Sequence, residues 1–240
     1  MRHSLIQRIQ RILILIGFII ILAIGLVGAR WAGFGLPGLD GLAPQGVNPA
    51  AFNQSVVLIS GHAGFDSGAV CEDADGAITL READVNAEIA RLTAARLRRA
   101  GADVTVMQEY DARLEGLQAD VLLSLHADSC IEASGYKAAV SEERTTTAGD
   151  NRLLQCIDRY YVGATGLPAH PNSVTHDMTQ YHAFRRIAPT TPAAILELGF
   201  LGGDNALLTR SPQLAAKGVT DALLCFFDDD LFLATPDPAG

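Results

Sequence analysis

Residues 56–62 read Val-Val-Leu-Ile-Ser-Gly-His, a short apolar run that ends in a glycine and an imidazole. An uninterrupted apolar run of this length is typical of a strand that is covered on both faces of a parallel sheet. Other short apolar runs occur along the chain at Val104–Gln108, Val121–Leu125 and Ala193–Leu196. Longer amphipathic stretches alternate with them and predict helices over Glu82–Ala100, Ala148–Gly163 and Ser211–Phe227. This alternation predicts an α/β fold, a single domain with a mainly parallel sheet flanked by helices.

Several residues that carry chemistry stand where the predicted strands end. His62, His126 and Glu197 each follow a predicted strand, and Glu82 opens the first predicted helix. Because ligands bind at the carboxyl edge of the strands in open α/β sheets, we expect these four side chains at one edge. Two imidazoles and one carboxylate form the ligand set of many hydrolytic zinc sites, and Glu197 would then be free to act as a general base. The ligands lie far apart in the sequence, so their spacing alone does not identify the site.

Four motif blocks give this prediction its specificity. In chain order they are Gly61-His62-Ala63-Gly64-Phe65-Asp66-Ser67-Gly68-Ala69, Glu82-Ala83-Asp84-Val85-Asn86, Ser124-Leu125-His126-Ala127-Asp128 and Pro192-Ala193-Ala194-Ile195-Leu196-Glu197-Leu198-Gly199-Phe200-Leu201. In these blocks the sequence resembles the zinc-dependent N-acetylmuramoyl-L-alanine amidases of the Amidase_3 family. The patterns of that family are GHGG-x-D-x-GA, E-x-D-x-N, S-[IL]-HA-[ND] and P-A-x-L-x-E-x-GF-[IL].

The resemblance implies a role for each of the four candidate residues. His62, Glu82 and His126 would bind Zn²⁺, and Glu197 would be the catalytic acid and base. The expected reaction is hydrolysis of the amide between N-acetylmuramic acid and the first L-alanine of the peptidoglycan stem peptide. The expected fold is a mixed, mainly parallel sheet flanked by helices.

Other interpretations of the same residues remain open from the sequence. A histidine at a strand end is often a hydrogen-bonded structural residue, and Glu82 also suits the first turn of any helix. A metal-free pseudo-amidase that binds cell-wall glycopeptide without cutting it is one alternative function. A zinc peptidase that cuts a stem-peptide bond is another.

The chain departs from the family pattern at several positions. Ala63 replaces a glycine, and Met107-Gln108-Glu109 stands where a threonine and an arginine are usual. Arg113 alone represents the arginine-rich segment that follows in the family. Substrate positioning is therefore expected to differ from that of typical members. The candidate substrate-binding residues are Asp128, His182 and Arg185, although a loop histidine and a surface arginine are often simply solvated.

The four cysteines are an even number, which suits disulfides outside the cytoplasm, although free buried thiols are the alternative. Sequence alone allows three pairings of Cys71, Cys130, Cys156 and Cys225. Cys71 and Cys130 closely follow the first and third motif blocks, so we expect them near the same edge of the sheet. There they are candidates for a disulfide that bridges two active-site loops, or for soft metal ligands.

The N-terminal region has the composition of a membrane anchor. Residues 12–29 carry no charge and reach about 27 Å as a helix, close to the hydrocarbon thickness of a bilayer. The basic flank 1–11 predicts a cytoplasmic N-terminus, which places the catalytic domain outside the cytoplasm. A cleaved signal peptide, which would give a secreted protein, and a buried core helix are the alternatives. We predict a Gly/Pro-rich linker over residues 30–54, the amidase domain over 55–230 and a flexible tail over 231–240.

The charge of the chain restricts its partners. The net charge is −9, and residues 1–11 contribute +3, so the remainder carries −12. A strongly acidic domain is a poor match for the phosphate backbone, so we expect no nucleic-acid partner. The expected partners are the peptidoglycan substrate and the membrane, and we expect the protein to be a monomer.

Overall fold

A computed structural model describes residues 13–22, 25, 48–144 and 147–233. The chain divides into two compact units, Met1–Gln45 and Gly46–Gly240. In the first unit, residues 13–22 and 25 are helical. Among the helices in the described part of the chain, none combines the length and apolarity needed to cross a bilayer. The basic flank 1–11, the remainder of the predicted anchor and residues 30–47 of the linker lie outside the described residues, so the anchor remains a prediction.

The second unit contains seven strands among its described residues. They are β1 (Ser55–Ser60), β2 (Val70–Glu72), β3 (Ile78–Arg81), β4 (Asp103–Met107), β5 (Val121–Asp128), β6 (Lys137–Ala139) and β7 (Ala193–Phe200). The main sheet has the order β4-β1-β5-β7-β6, in which all neighbouring pairs are parallel except β7 and β6. The predicted single α/β domain with a mainly parallel mixed sheet is therefore confirmed. Strands β2 and β3 form a separate antiparallel hairpin.

Six α-helices accompany these strands in the described residues of the second unit. They are α1 (Glu82–Ala100), α2 (Ala148–Thr165), α3 (His176–Thr179), α4 (His182–Arg186), α5 (Pro212–Phe227) and α6 (Asp229–Leu233). Helix α1 ends at Gly101, which has φ 102° and donates its N–H to the last turn. Glycine occupies this left-handed position without the clash that a Cβ would cause.

The sheet is covered on both faces because successive side chains of a strand point in opposite directions. Val56 and Leu58 pack with the large cluster contributed by α1, α2 and α5. Val57 and Ile59 pack on the other face with the α3 and α4 region, including Phe184. Two-sided burial explains why the strands are continuously apolar.

The structure also differs from the predicted elements. The sequence predicts no helix over residues 166–186, but the structure has α3 and α4 there. Strands β2, β3 and β6 have only three or four residues each, which is too short for a recognisable period. The stretch 48–54 of the predicted linker forms turns, and Asn48 and Asn53 donate backbone hydrogen bonds to the end of α1. Residues 231–233 of the predicted tail belong to α6, while 234–240 lie outside the described residues.

Candidate metal centre

The site lies at the carboxyl edge of the parallel sheet. His62 follows β1 in a left-handed conformation with φ 64°, which is uncommon for a residue other than glycine. Gly61 allows the close approach of two segments, since a Cβ there would lie 2.5 Å from the ring of His126. Gly68 has φ 61°, and its Cβ would lie 2.5 Å from Oε2 of Glu82. The glycines of the first motif block therefore make room for the side chains that meet at this edge.

The structure brings together His62, Glu82 and His126, the three predicted metal ligands. Each offers one ligand atom, and these atoms all lie within 4.8 Å of one another. Oε2 of Glu82 is 3.2 Å from Nε2 of His62, and Oε1 of Glu82 is 3.1 Å from Nδ1 of His126. Nε2 of His126 is buried and finds no hydrogen-bond partner among the described residues. Two nitrogen donors and one carboxylate suit Zn²⁺, so the residues present fit the expected ion.

The electrostatics of these three residues favour positive charge at the site. A hydrogen bond with Glu82 raises the pKa of His62 to about 9, although burial opposes this change. The pKa of His126 is also raised, because its bond to Glu82 and the surrounding carboxylates outweigh burial. Burial alone would raise the pKa of Glu82, but bonds from both histidines and from the N–H of Ala69 lower it. Glu82 is therefore a carboxylate between two imidazoles, and a metal ion bound here would take the place of the protons on the imidazole nitrogens that face Glu82.

Two further carboxylates lie on the outer sides of the imidazole rings. Oδ1 of Asp66 is 2.5 Å from Nδ1 of His62, on the opposite edge of the ring from Glu82. Oε2 of Glu109 is 3.5 Å from Nε2 of His126, again opposite Glu82. Metal-binding histidines in proteins commonly have such an outer carboxylate, which orients the ring.

Glu109 also connects the centre to its surroundings. It is buried, and it accepts hydrogen bonds from the backbone N–H of His62 at 2.8 Å and from the hydroxyl of Tyr181 at 2.8 Å. Its Oε1 lies 2.9 Å from Nε2 of His182. Burial raises the pKa of this carboxyl, but the contacts with His182, His126 and Tyr181 lower it to about 2. Glu109 follows a strand just as His62 does, but in the sequence this position stands out only as a departure from the family pattern.

Glu197 lies in β7, directly beside His126 in the parallel register with β5. Its Oε2 is buried and has no hydrogen-bond partner in the described part of the chain. Burial raises the pKa of Glu197 to about 7; His126 and Lys137 oppose the rise, and Glu82 and Asp128 add to it. A carboxyl that titrates near neutral pH can both accept and donate a proton.

The three candidate substrate-binding residues have different surroundings. Asp128 forms an ion pair with the buried Lys137 at 2.6 Å. His182 and Arg185 line a cavity of about 530 Å³ beside Glu109, where Arg185 lies 3.4 Å from a carboxylate oxygen of Glu143. Their contact with substrate remains a prediction.

All four cysteines are in disulfides. Cys71 of β2 is joined to Cys130, which follows β5, so this bond links two segments next to the candidate ligands. Cys156 of α2 is joined to Cys225 of α5. Because neither Cys71 nor Cys130 is a thiolate in this form, the alternative of a soft metal ligand does not apply to them.

The fold and the site define a class: an α/β domain whose sheet edge carries a two-histidine, one-glutamate group suited to a hydrolytic metal ion. Residues 56–224 match the family model of Amidase_3, described as N-acetylmuramoyl-L-alanine amidase. The chain belongs to this amidase family. No curated protein sequence matches it.

Solved structures with the same fold carry the same family description. An N-acetylmuramoyl-L-alanine amidase from Clostridium difficile 630 has a TM-score of 0.56 at 21% identity, covering 73% of this chain and 97% of that one. The catalytic domain of CwlV from Bacillus (Paenibacillus) polymyxa var. colistinus has a TM-score of 0.53 at 23% identity, covering 71% and 96%. The apo form of Ami1 from Mycobacterium abscessus has a TM-score of 0.52 at 16% identity, covering 74% and 100%. At these identities the likeness concerns the fold.

Proposed function

We propose that this protein is a zinc-dependent hydrolase of the amide between N-acetylmuramic acid and L-alanine in peptidoglycan. Family membership supports the reaction class. The observation that carries the proposal is the convergence of His62, Glu82 and His126 within 4.8 Å, with Glu197 on the adjacent strand. The donor set supports zinc, a redox-inert ion that accepts nitrogen and oxygen ligands together.

In the proposed mechanism the metal ligands and the base have separate tasks. A bound zinc ion supplies Lewis-acid chemistry, which acidifies water and stabilises negative charge on the amide oxygen. His62, Glu82 and His126 would hold it. Asp66 hydrogen-bonds to the outer nitrogen of His62, and Glu109 lies 3.5 Å from the outer nitrogen of His126. Glu197 accepts a proton from water and later donates it to the departing amine of L-alanine.

The unpartnered carboxyl of Glu197 argues against a binding-only pseudo-amidase. Burying a carboxyl without a hydrogen bond costs free energy, and binding without cleavage gives no reason for that cost. A zinc peptidase would use the same chemical groups, so the two enzymes must be separated by their products.

Product analysis tests the proposal. Purified peptidoglycan is digested with the zinc-loaded protein, with the chelated protein, and with the chelated protein after zinc is restored. The expected products are complete stem peptides with a new N-terminal L-alanine, formed only when zinc is present. Shortened peptides would instead show a peptidase, and glycopeptide binding without any cleavage would show a pseudo-amidase.

The proposal includes the location and state of the protein. Residues 12–29 would anchor a monomeric catalytic domain on the outer side of the cytoplasmic membrane. Cell fractionation and the N-terminal sequence of the mature protein test this part. Recovery from the membrane with the N-terminus intact is expected, whereas a mature chain that begins after residue 29 would show a cleaved signal peptide.

A further inference from the structure

An exposed aromatic surface lies beside the candidate metal centre. We name it the aromatic rim, and it consists of Phe65, Tyr110 and His182. Phe65 is 64% exposed and Tyr110 is 52% exposed, and their ring centroids are 4.6 Å apart with an interplanar angle of 68°. Tyr110 stacks on His182 with centroids 4.2 Å apart and an angle of 29°. Large aromatic side chains that contact one another while exposed to solvent often mark a binding surface.

Hydrogen bonds hold the aromatic rim at a defined position relative to the metal ligands. The backbone N–H of Phe65 donates to the carbonyl of His62 at 3.0 Å. On the other side, Glu109 lies 2.9 Å from Nε2 of His182 and accepts the N–H of His62 at 2.8 Å. The N–H of Glu109 donates in turn to the carbonyl of Ala63 at 3.1 Å. A group bound on the rim would therefore lie next to the candidate metal ligands.

The charge pattern around the rim distinguishes the two halves of the proposed substrate. The rim presents the exposed rings of Phe65 and Tyr110. The cavity that Tyr110 and His182 line also carries charged side chains, those of Glu143, Asp177 and Arg185. In an uncut muramoyl peptide the lactyl carboxyl is part of the amide, so the sugar is uncharged, while the stem peptide has ionised groups. The C–H faces of a pyranose ring pack well on aromatic rings, whose faces are weakly negative.

We infer that the aromatic rim is a subsite for the N-acetylated sugar ring on the glycan side of the scissile amide. This inference rests on the proposed function and names the residues that contact the sugar of the proposed substrate. It also places the stem peptide toward the charged residues of that cavity, Glu143, Asp177 and Arg185.

The inference is tested with two substrates that share the scissile amide and the peptide. One is a muramoyl peptide, and the other is the matching lactoyl peptide, which lacks the sugar ring. Tyr110→Ala should raise KM for the muramoyl peptide about tenfold and leave KM for the lactoyl peptide within twofold of wild type. Tyr110→Phe keeps the ring and should restore the KM for the muramoyl peptide. Equal weakening of both substrates by Tyr110→Ala would overturn the sugar assignment.

A binding experiment supplies a readout that does not require cleavage. The neutral disaccharide of two N-acetylglucosamine units is titrated into the zinc-loaded protein and followed by NMR. Wild type and Leu214→Ala, which alters an exposed apolar side chain of α5, should bind it equally. Phe65→Ala and Tyr110→Ala should bind about tenfold more weakly with unchanged zinc content. Failure of wild type to bind, or equal binding by all four proteins, would overturn the inference.

The two experiments separate the inference from the function on which it rests. Wild type that cleaves neither peptide would contradict the amidase proposal. The disaccharide titration would still decide whether the aromatic rim binds sugar.

Discussion

The core between the sheet and helices α1, α2 and α5 buries apolar side chains, whereas the carboxyl edge of the same sheet buries charged groups. In the core, Leu153, Ile157 and Leu223 are fully buried among other apolar side chains. At the edge, Glu82 and Glu109 are buried as carboxylates beside His126. Burial of apolar area stabilises the fold, whereas burial of charge costs free energy unless partners or a ligand compensate. We therefore expect substitutions in the core to change stability, and substitutions at the edge to change metal binding and catalysis.

The largest effect is expected for Glu197→Gln, at the edge. Loss of the proton-transfer group should lower kcat/KM about 10²- to 10⁴-fold, or roughly 3–5 kcal/mol in the barrier. Zinc content and melting temperature should stay near the wild-type values, because the amide is neutral and nearly the same size. Steady-state kinetics, metal analysis and calorimetry test this separation. Substantial activity in the variant would remove Glu197 from its assigned role.

The two disulfides allow a direct comparison of core and edge. Replacing Cys156 and Cys225 by alanine should lower the free energy of unfolding by about 2–4 kcal/mol without weakening zinc binding. Replacing Cys71 and Cys130 by alanine should also destabilise the fold, and it should weaken zinc binding, because that bond holds segments that flank Glu82 and His126. Denaturant titration and chelator competition measure both quantities. Equal zinc affinity in the two double variants would mean that the Cys71–Cys130 bond does not position the site.

A smaller effect is expected for Glu109→Gln. Weaker support of the His126 ring should lower the zinc affinity about 10- to 100-fold, in the range seen when outer partners of metal ligands are changed. Glu88→Gln changes an exposed glutamate of α1 and is the matched control. Competition with a chelating dye measures the affinity. Unchanged zinc affinity in Glu109→Gln would show that Glu109 does not support the His126 ring and acts only through its contacts with Tyr181 and His182.

The last expected effect needs no substitution and is the pH dependence of the wild-type enzyme. Because the pKa of Glu197 is raised to about 7, the carboxyl is protonated and unable to accept a proton below that pH. The value of kcat/KM should therefore rise about tenfold per pH unit below the pKa of Glu197 and become constant above it. A bound zinc ion would lower this pKa, so the constant region should begin at pH 7 or lower. A pH profile of kcat/KM tests this, and the residual activity of Glu197→Gln should lack this step. If the variant showed the same rise of kcat/KM with pH, a group other than Glu197 would be responsible for it.

Part of the candidate site is predictable from the sequence, and the rest depends on how the strands pair. His62, His126 and Glu197 were predictable because each follows a recognisable apolar run, and family motifs surround them. Glu109 follows β4 in the same way, but local pattern does not show that β4 pairs with β1 and so places Glu109 beside His62. The pairing order of strands depends on packing between segments that are distant along the chain.

The apolar periodicity and the motif blocks by themselves determined the α/β class, the family resemblance and the identity of the candidate ligands. Only the tertiary structure decided which of three cysteine pairings forms, how Glu82 reaches both imidazoles, and that Phe65, Tyr110 and His182 share one surface. The physical reason is how far apart along the chain the interacting residues are. Secondary structure follows from neighbours along the chain, whereas a site assembled from several loops requires distances that only the folded packing sets.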